Sequence, residues 1–289
     1  MQIGFIGQGW IGKHLADHFE ARGFATVRYS KEPLYEGNKS AISRCDVVFI
    51  AVPTPTTSSG FDDSILRGVM GLIGNGKIAV IKSTILPGTT DRIQKENPDI
   101  IVLHSPEFLR ETSVKHDIDF PDRNIIGIPG AHFKDKKFKE AAKQVMHILP
   151  PAPFKSICKA SEAELTKYGG NNFLYTKVVF MNVLYDLAKE VDARFDVVAE
   201  NMTADPRIGA SHMQPVHQYD HMGIYSGRGA GGHCFIKDFA ALRALYETLL
   251  KNDREAIELL LAFEKLNNKL LKATKKDLDL LKGVYGDAV

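Results

Sequence analysis

The chain has 289 residues, 37 Lys plus Arg against 35 Asp plus Glu, 44% hydrophobic residues, 24 Gly and three Cys. That composition argues against disorder, a collagen-like repeat and a disulfide scaffold, and fits a globular protein of one or two domains. The net charge of +2 is spread along the chain and does not by itself ask for nucleic acid. No run of eighteen apolar residues occurs, and Met1 leads through Gln2 into a strand-like run with no basic segment, so the expectation is a cytoplasmic protein without membrane span or signal peptide.

Short apolar runs at residues 3–6, 25–30, 47–52, 78–83, 100–104 and 125–128 alternate with amphipathic stretches. Strands buried on both faces read as continuous apolar runs, so the alternation predicts βαβ units around a parallel sheet. Pro150, Pro151 and Pro153 interrupt it, because proline lacks a backbone donor and biases its neighbour towards extended geometry. The expected fold class is α/β: an N-terminal Rossmann-like doubly wound sheet over 1–152, then an all-helical domain over 153–289 with a long central helix.

Ser161 and Glu164 stand at capping-box spacing before that helix, which is expected to run to about Val191. Its apolar residues go most of the way round, as in a buried spine or a subunit interface. Gly169 and Gly170 each cost about 1 kcal/mol relative to Ala inside a helix, so close approach to the backbone is expected there, crowding by another helix being the plain reason. Residues 210–232 are rich in Gly and His and read as a long loop. Helices are expected again at 239–250 and from Arg254 onward.

Gly7, Gly9 and Gly12 form G-x-G-x-x-G between the first strand and the first helix. In that context the first glycine permits the turn, the second admits a pyrophosphate and the third lets helix and strand pack, which predicts a dinucleotide site. Gly227, Gly229 and Gly232 match the same spacing outside any βαβ unit and are read as an accident. At the end of the second strand, where NAD enzymes place a carboxylate, stand Ser30 and Lys31; a hydroxyl and a cation suit a 2′-phosphate, so NADP is an expectation beside NAD, with Glu32 the alternative ribose partner.

Six segments in chain order carry a resemblance: Ala51-Val-Pro-Thr-Pro55, Lys82-Ser-Thr-Ile-Leu-Pro-Gly88, Ser105-Pro-Glu-Phe-Leu-Arg-Glu111, Ala163-Glu-Leu-Thr-Lys-Tyr-Gly-Gly-Asn171, Asp205-Pro-Arg-Ile-Gly209 and Gly231-Gly-His-Cys-Phe-Ile-Lys-Asp238. Together they resemble the UDP-glucose/GDP-mannose dehydrogenase family over nearly the whole chain. The resemblance implies oxidation of a sugar C6 alcohol to a carboxylate with two molecules of nicotinamide cofactor and a covalent cysteine intermediate. Cys234 also suits a nucleophile on local grounds, since two glycines before it and Lys237 after it make an amide-rich, cationic setting that lowers a thiol pKa; a buried small hydrophobe is the bland alternative.

The resemblance gives Lys167 and Asn171, at i and i+4, the developing C6 oxyanion; Glu107 the part of base; Thr84 the water; and Asp238 the ordering of this network. It places Pro53, Thr84, Glu111 and Lys237 with the glycines at the cofactor, and Glu107, Phe108, Leu109, Lys167, Asn171, Arg207 and Gly231 at the substrate. Arg207 is expected to reach the substrate of a neighbouring subunit, making a homodimer through the central helix. His217 and His221 have metal-ligand spacing, yet no glutamate accompanies them, so no metal is expected and the 210–232 loop reads as a substrate-shaping or interface loop. A third, nucleotide-binding domain that the family normally adds is expected to be absent. Two alternatives stay open: a two-electron β-hydroxyacid-type dehydrogenase using Lys167 and Asn171, and a non-catalytic cofactor-binding protein.

Overall fold

The computed structural model describes residues 1–110, 113–218 and 226–286. In chain order the helices and strands are β1 (Gln2–Ile6), α1 (Trp10–Ala21), β2 (Ala25–Tyr29), α2 (Pro33–Glu36), β3 (Val47–Ile50), β4 (Thr56–Thr57), β5 (Gly60–Phe61), α3 (Ser64–Met70), β6 (Ile78–Ile81), α4 (Thr89–Glu96), β7 (Ile101–His104), α5 (Val114–Asp119), β8 (Arg123–Ile128), α6 (Lys136–Ile148) and β9 (Phe154–Lys159). They continue with α7 (Ala160–Glu190), α8 (Phe195–Thr203), β10 (Val216–Gln218), β11 (Ser226–Arg228), α9 (Gly232–Leu249), α10 (Arg254–Ala273) and α11 (Leu278–Tyr285). The chain divides into two compact units, Met1–Pro55 with Asp62–Lys167, and Thr56–Phe61 with Tyr168–Val289.

The first unit is built on a seven-stranded sheet in the order β2-β1-β3-β6-β7-β8-β9. All six expected strands are present. Phe5 of β1 packs edge-on to Phe19 of α1 and stacks on Phe49 of β3, and α6 adds Phe138, Ala142 and Val145 to the same apolar layer. The sheet is parallel from β2 to β7, but β8 meets β7 antiparallel, at His104 opposite Gly127. A parallel return needs a crossover helix over the sheet, and the connection here instead carries the short α5, which lies along α1. After the prolines the chain re-enters the sheet as β9, parallel to β8 at the edge. Its residues Phe-Lys-Ser-Ile-Cys-Lys are half exposed and half polar, so no apolar run announces it.

The start of α7 differs from the expected capping box. Glu162 takes the Lys159 N–H at 2.8 Å, whereas Glu164 is fully buried and accepts the amides of Gly88 at 2.6 Å and Thr90 at 2.8 Å and the Thr90 hydroxyl at 2.5 Å. Glu164 thus supplies its carboxylate to the first turn of α4, where orphan amides and the helix dipole favour an anion. Burial raises its pKa from the ordinary value, and the hydrogen bonds from Thr90 and Gly88 oppose that rise.

In the second unit Tyr175, Val178 and Val179 of α7 pack with Ala230 and Phe239, and Tyr175 stacks on the Phe239 ring at 4.0 Å. On the opposite side of α7 Phe173, Phe180, Val183 and Leu187 are exposed, the last three at one-turn spacing. Gly169 and Gly170 have nothing within 4 Å of where a Cβ would stand, so the expected crowding is not found among the described residues. The expected long loop contains an antiparallel hairpin of β10 and β11. His221 lies outside the described residues. Helix α9 begins at Gly232, seven residues before the expected start, because Gly-Gly-His-Cys carries no apolar periodicity to announce a first turn. No helix among the described residues is long and apolar enough to cross a membrane.

Candidate active site

The first unit gathers its functional side chains at the carboxyl ends of parallel strands, where the order reverses between β1 and β3. Gly7 has φ +91°, and a Cβ there would lie 2.2 Å from the Ala51 carbonyl oxygen; a Cβ on Gly12 would lie 2.0 Å from the Gly7 carbonyl oxygen. Gly9 has nothing within 4 Å, and no acidic residue stands in the first turn of α1. Two glycines therefore close the turn and the third leaves an open face of helix-start amides, which fits a dinucleotide pyrophosphate.

Of the two residues expected to favour NADP, Ser30 has a partner within the chain. The Ser30 hydroxyl accepts the Glu32 N–H at 3.2 Å, and Arg28 is turned onto α1, with ion pairs to Asp17 at 2.6 Å and Glu20 at 2.7 Å. Lys31 is exposed, as is Pro53 at the exit of β3.

The exits of β3 and β6 are stapled together. Ser83 Oγ accepts the Val52 N–H and donates to the Val52 carbonyl, while the Thr54 hydroxyl donates to the Thr84 carbonyl at 2.7 Å. Thr84 is thereby fixed by its backbone, with its side chain half-buried. Two residues earlier, buried Lys82 forms an ion pair with Glu107 Oε2 at 2.9 Å, and Glu107 Oε1 accepts the Phe108 N–H at 2.8 Å. The Phe108 ring faces two cations, Arg123 at 3.9 Å and Lys167 Nζ at 5.5 Å from its centroid. Beyond half-buried Leu109 the chain is tied by Arg110 to Asp117, an ion pair whose hydrogen bonds hold the Asp117 pKa down to about 2. Glu111 lies outside the described residues.

His104 is fully buried beside this group and donates from Nδ1 to the Ile81 carbonyl at 3.1 Å, which fixes the tautomer because a carbonyl only accepts. Burial, and then the charge of Lys82, pushes its pKa from 6.5 down to about 3. A histidine neutral in the folded state and protonated in the unfolded one withdraws stability as pH falls from about 6.5 towards 3. Between about pH 6.5 and pH 4.5 that loss is on the order of 2 to 3 kcal/mol. His104→Gln keeps a donor for Ile81 and does not titrate. Urea unfolding at neutral pH and near pH 4.5 should show a smaller acid-induced loss in the variant by roughly that amount; equal losses would refute the assignment.

In the second unit Cys234 is exposed and stands in the first turn of α9, whose N-cap is Gly231. A helix start favours an anion. One turn on, Asp238 is fully buried and accepts from Asn171 Nδ2 at 2.6 Å and from Lys237 Nζ at 2.5 Å. One N–H of Asn171 is committed to Asp238, so the plane of the amide is set and its second N–H points in a fixed direction. Lys167 is buried on α7, in the first unit. Arg207 is exposed and folded onto Asp205, with contacts between 2.5 and 3.0 Å. His217, read above for metal-ligand spacing, is in contact through Nε2 with Lys276.

The structure thus joins Asn171, Lys237 and Asp238 in one unit and Glu107, Phe108 and Lys167 in the other. Sequence reasoning gave Lys82 no part of its own. Its signal was a lysine directly after the wholly buried strand β6, a position that forces the ammonium inside and calls for a carboxylate.

The profile of the UDP-glucose/GDP-mannose dehydrogenase family, NAD binding domain, matches residues 30–147, and that of the family's central domain matches residues 161–269. A UDP-glucose 6-dehydrogenase of Rhizobium meliloti is 33% identical over 240 residues, 78% of this chain and 51% of that protein. UDP-glucose 6-dehydrogenase YwqF of Bacillus subtilis is 30% identical over 278 residues, 92% of this chain and 58% of that protein. Among solved structures, a UDP-glucose dehydrogenase from Pyrobaculum islandicum superposes with a TM-score of 0.75 at 26% identity, covering 94% of this chain and 68% of that one. The chain spans less than two thirds of the length of these two bacterial relatives. With its NAD-binding and central domains both matched, the chain belongs to the UDP-glucose/GDP-mannose dehydrogenase family.

Proposed function

We propose that the protein oxidises the C6 alcohol of a nucleotide sugar, most simply UDP-glucose, to the carboxylate, with Cys234 as the covalent nucleophile. The observation that carries this is Cys234 in the first turn of α9 with buried Asp238, bonded to Asn171 and Lys237, one turn behind it. The Gly7–Gly12 turn would hold NAD, which would supply the hydride acceptor for both oxidations. The Cys234 sulfur adds to the C6 aldehyde to form a thiohemiacetal; loss of the second hydride leaves a thioester, and water displaces the thiolate to release the acid. Lys167 and the second N–H of Asn171 supply charge and a donor to the C6 oxygen, where negative charge develops. Glu107 takes the proton from the alcohol or the hydrolytic water and Thr84 positions that water. Pro53, Glu111 and Lys237 serve the cofactor, and Phe108, Leu109 and Gly231 the substrate. A reaction that consumes NAD and a nucleotide sugar belongs in the cytoplasm.

The exposed stripe of α7 supports a homodimer, since Phe173, Phe180, Val183 and Leu187 present large apolar side chains of the kind subunit interfaces bury. Arg207, exposed on the same unit, then serves the substrate of the neighbouring subunit. Phe180→Asp should leave the fold intact by circular dichroism and weaken self-association at least tenfold in light scattering; an unchanged dimer would place the interface elsewhere.

The deciding experiment offers a panel of sugar nucleotides and free hydroxyacids with NAD and with NADP. Quenching of Trp10, the single tryptophan, at the start of α1, reports cofactor binding. Two NADH per acid formed from a nucleotide sugar is the expected result. One NADH per product from a hydroxyacid would favour the β-hydroxyacid alternative, and binding without reduction the non-catalytic one.

A further inference from the structure

The second G-x-G-x-x-G match, at Gly227, Gly229 and Gly232, is neither a phosphate loop nor an accident. It belongs to β11 and the turn that leads into α9. A Cβ on Gly227 would lie 2.7 Å from Lys276 Cβ, one on Gly229 would lie 2.9 Å from Asn267 Oδ1, and one on Gly231 would lie 1.9 Å from Asp277 Oδ2. Gly229 also has φ +92°. Glycine is required because side chains from the end of α10 and the turn after it press directly on this backbone.

Those side chains also bond to it. Arg228 N donates to Thr274 Oγ1 at 3.0 Å, and Lys276 Nζ donates to the Gly229 carbonyl at 2.9 Å. Asn267 grips Ala230 from both sides, accepting its N–H at 2.7 Å and donating to its carbonyl at 2.9 Å. Asp277 Oδ2 accepts the Gly232 N–H at 2.8 Å, the first amide of the helix that carries Cys234. Four of the five residues from Arg228 to Gly232 are therefore held by one short stretch of chain. Asn267 is fully buried and Lys276 is 1% exposed, so these bonds are shielded from competing water. Lys276 is also in contact with His217 Nε2, which adds β10 to the assembly. Lys275 and Asp277 adopt φ +55° and +53°, left-handed values unusual outside glycine. A turn held in that conformation, with Thr274, Lys276 and Asp277 all bonded to the same segment, indicates a dedicated support.

We propose that Asn267, Thr274, Lys276 and Asp277 form a clamp that fixes the entry into α9 and thereby sets the position of Cys234, Asp277 acting as the positioning residue for the first amide of the helix. The clamp rests on the proposed role of Cys234 as nucleophile. It acts on the second oxidation, which needs sulfur at the aldehyde carbon, and leaves the first, which does not.

The test compares Asp277→Gly with Asp277→Asn in the full chain. Both tolerate a positive φ, but only asparagine keeps an oxygen for the Gly232 N–H. Turnover is run with a semicarbazide trap, so that aldehyde and acid are counted separately. Asp277→Gly should raise the trapped-aldehyde share about tenfold and Asp277→Asn should stay within about twofold of the parent. A variant that is merely less stable lowers both products together and leaves the ratio alone. Hydrogen exchange at residues 229–234 should be about tenfold faster in Asp277→Gly and parent-like in Asp277→Asn. Lys276→Met, which keeps side-chain length and loses the Gly229 contact, is the second variant with the same readouts. Parent-like partition and parent-like exchange in Asp277→Gly and Lys276→Met would overturn the clamp. Should the parent form no acid from any nucleotide sugar, the proposed reaction fails, and the exchange measurement alone then decides: faster exchange upholds the clamp, unchanged exchange overturns it.

Discussion

Cys234→Ala should abolish acid formation by a factor of about a thousand or more, equivalent to roughly 4 kcal/mol of lost barrier reduction, while leaving Trp10 quenching by NAD within about twofold of the parent. The first hydride transfer needs no sulfur, so the variant should release a trappable aldehyde with one NADH each. Serine at the same place should behave similarly, because a hydroxyl in the first turn of a helix remains protonated at neutral pH and adds poorly to a carbonyl. Progress curves with quantified NADH, aldehyde and acid separate the cases. Full acid formation by Cys234→Ala would remove the covalent mechanism and leave Lys167 and Asn171 as the centre of a simpler dehydrogenase. Neither of the other two cysteines can substitute: Cys45 is buried, and burial raises its pKa to about 11, while Cys158 lies on the edge strand β9 of the first unit, its thiol pKa also raised by burial.

What the sequence made legible, it did through residues whose neighbours in the chain are enough to define them. Gly7, Gly9 and Gly12 could be assigned because a strand, a turn and a helix start lie within a dozen residues, and the structure gives the first and third glycines close contacts and the second open space. The strands β1, β3, β6 and β7 were legible because burial on both faces makes them predominantly apolar. Glu164 shows the opposite case. Its spacing from Ser161 matched a local cap, but its partners are Gly88 and Thr90, more than seventy residues away, and a long-range contact leaves no mark on local spacing. The same holds for the glycines before α9, whose reason lies in Lys276 and Asp277, and for β9, whose half-exposed edge position needs no apolar run. The direction of β8 depended on where α5 packs, which periodicity does not encode.

Lys82 offers the sharpest test of the first-unit site, because its charge is buried and its partner is the proposed base. Lys82→Met keeps the length of the side chain and removes the ammonium, leaving Glu107 Oε2 without its cation while Oε1 still accepts the Phe108 N–H. Removing one member of a fully buried pair costs about 3 to 5 kcal/mol; Glu107 is only partly buried and can turn towards water, so a loss of roughly 2 to 3 kcal/mol is expected. Once turned, the carboxylate no longer meets the proton it should take, and kcat should fall about a hundredfold with Trp10 quenching by NAD little changed. Glu107→Gln removes the same charge from the other side. In that background Lys82→Met should cost much less catalysis, a coupling of about 2 kcal/mol, because no ionised base remains to be held. Additive losses would show that Lys82 serves the fold alone. A coupled loss would identify the lysine at the end of β6 as the support of the base, which is the reason a cation belongs there instead of the apolar residue that the rest of the strand would dictate.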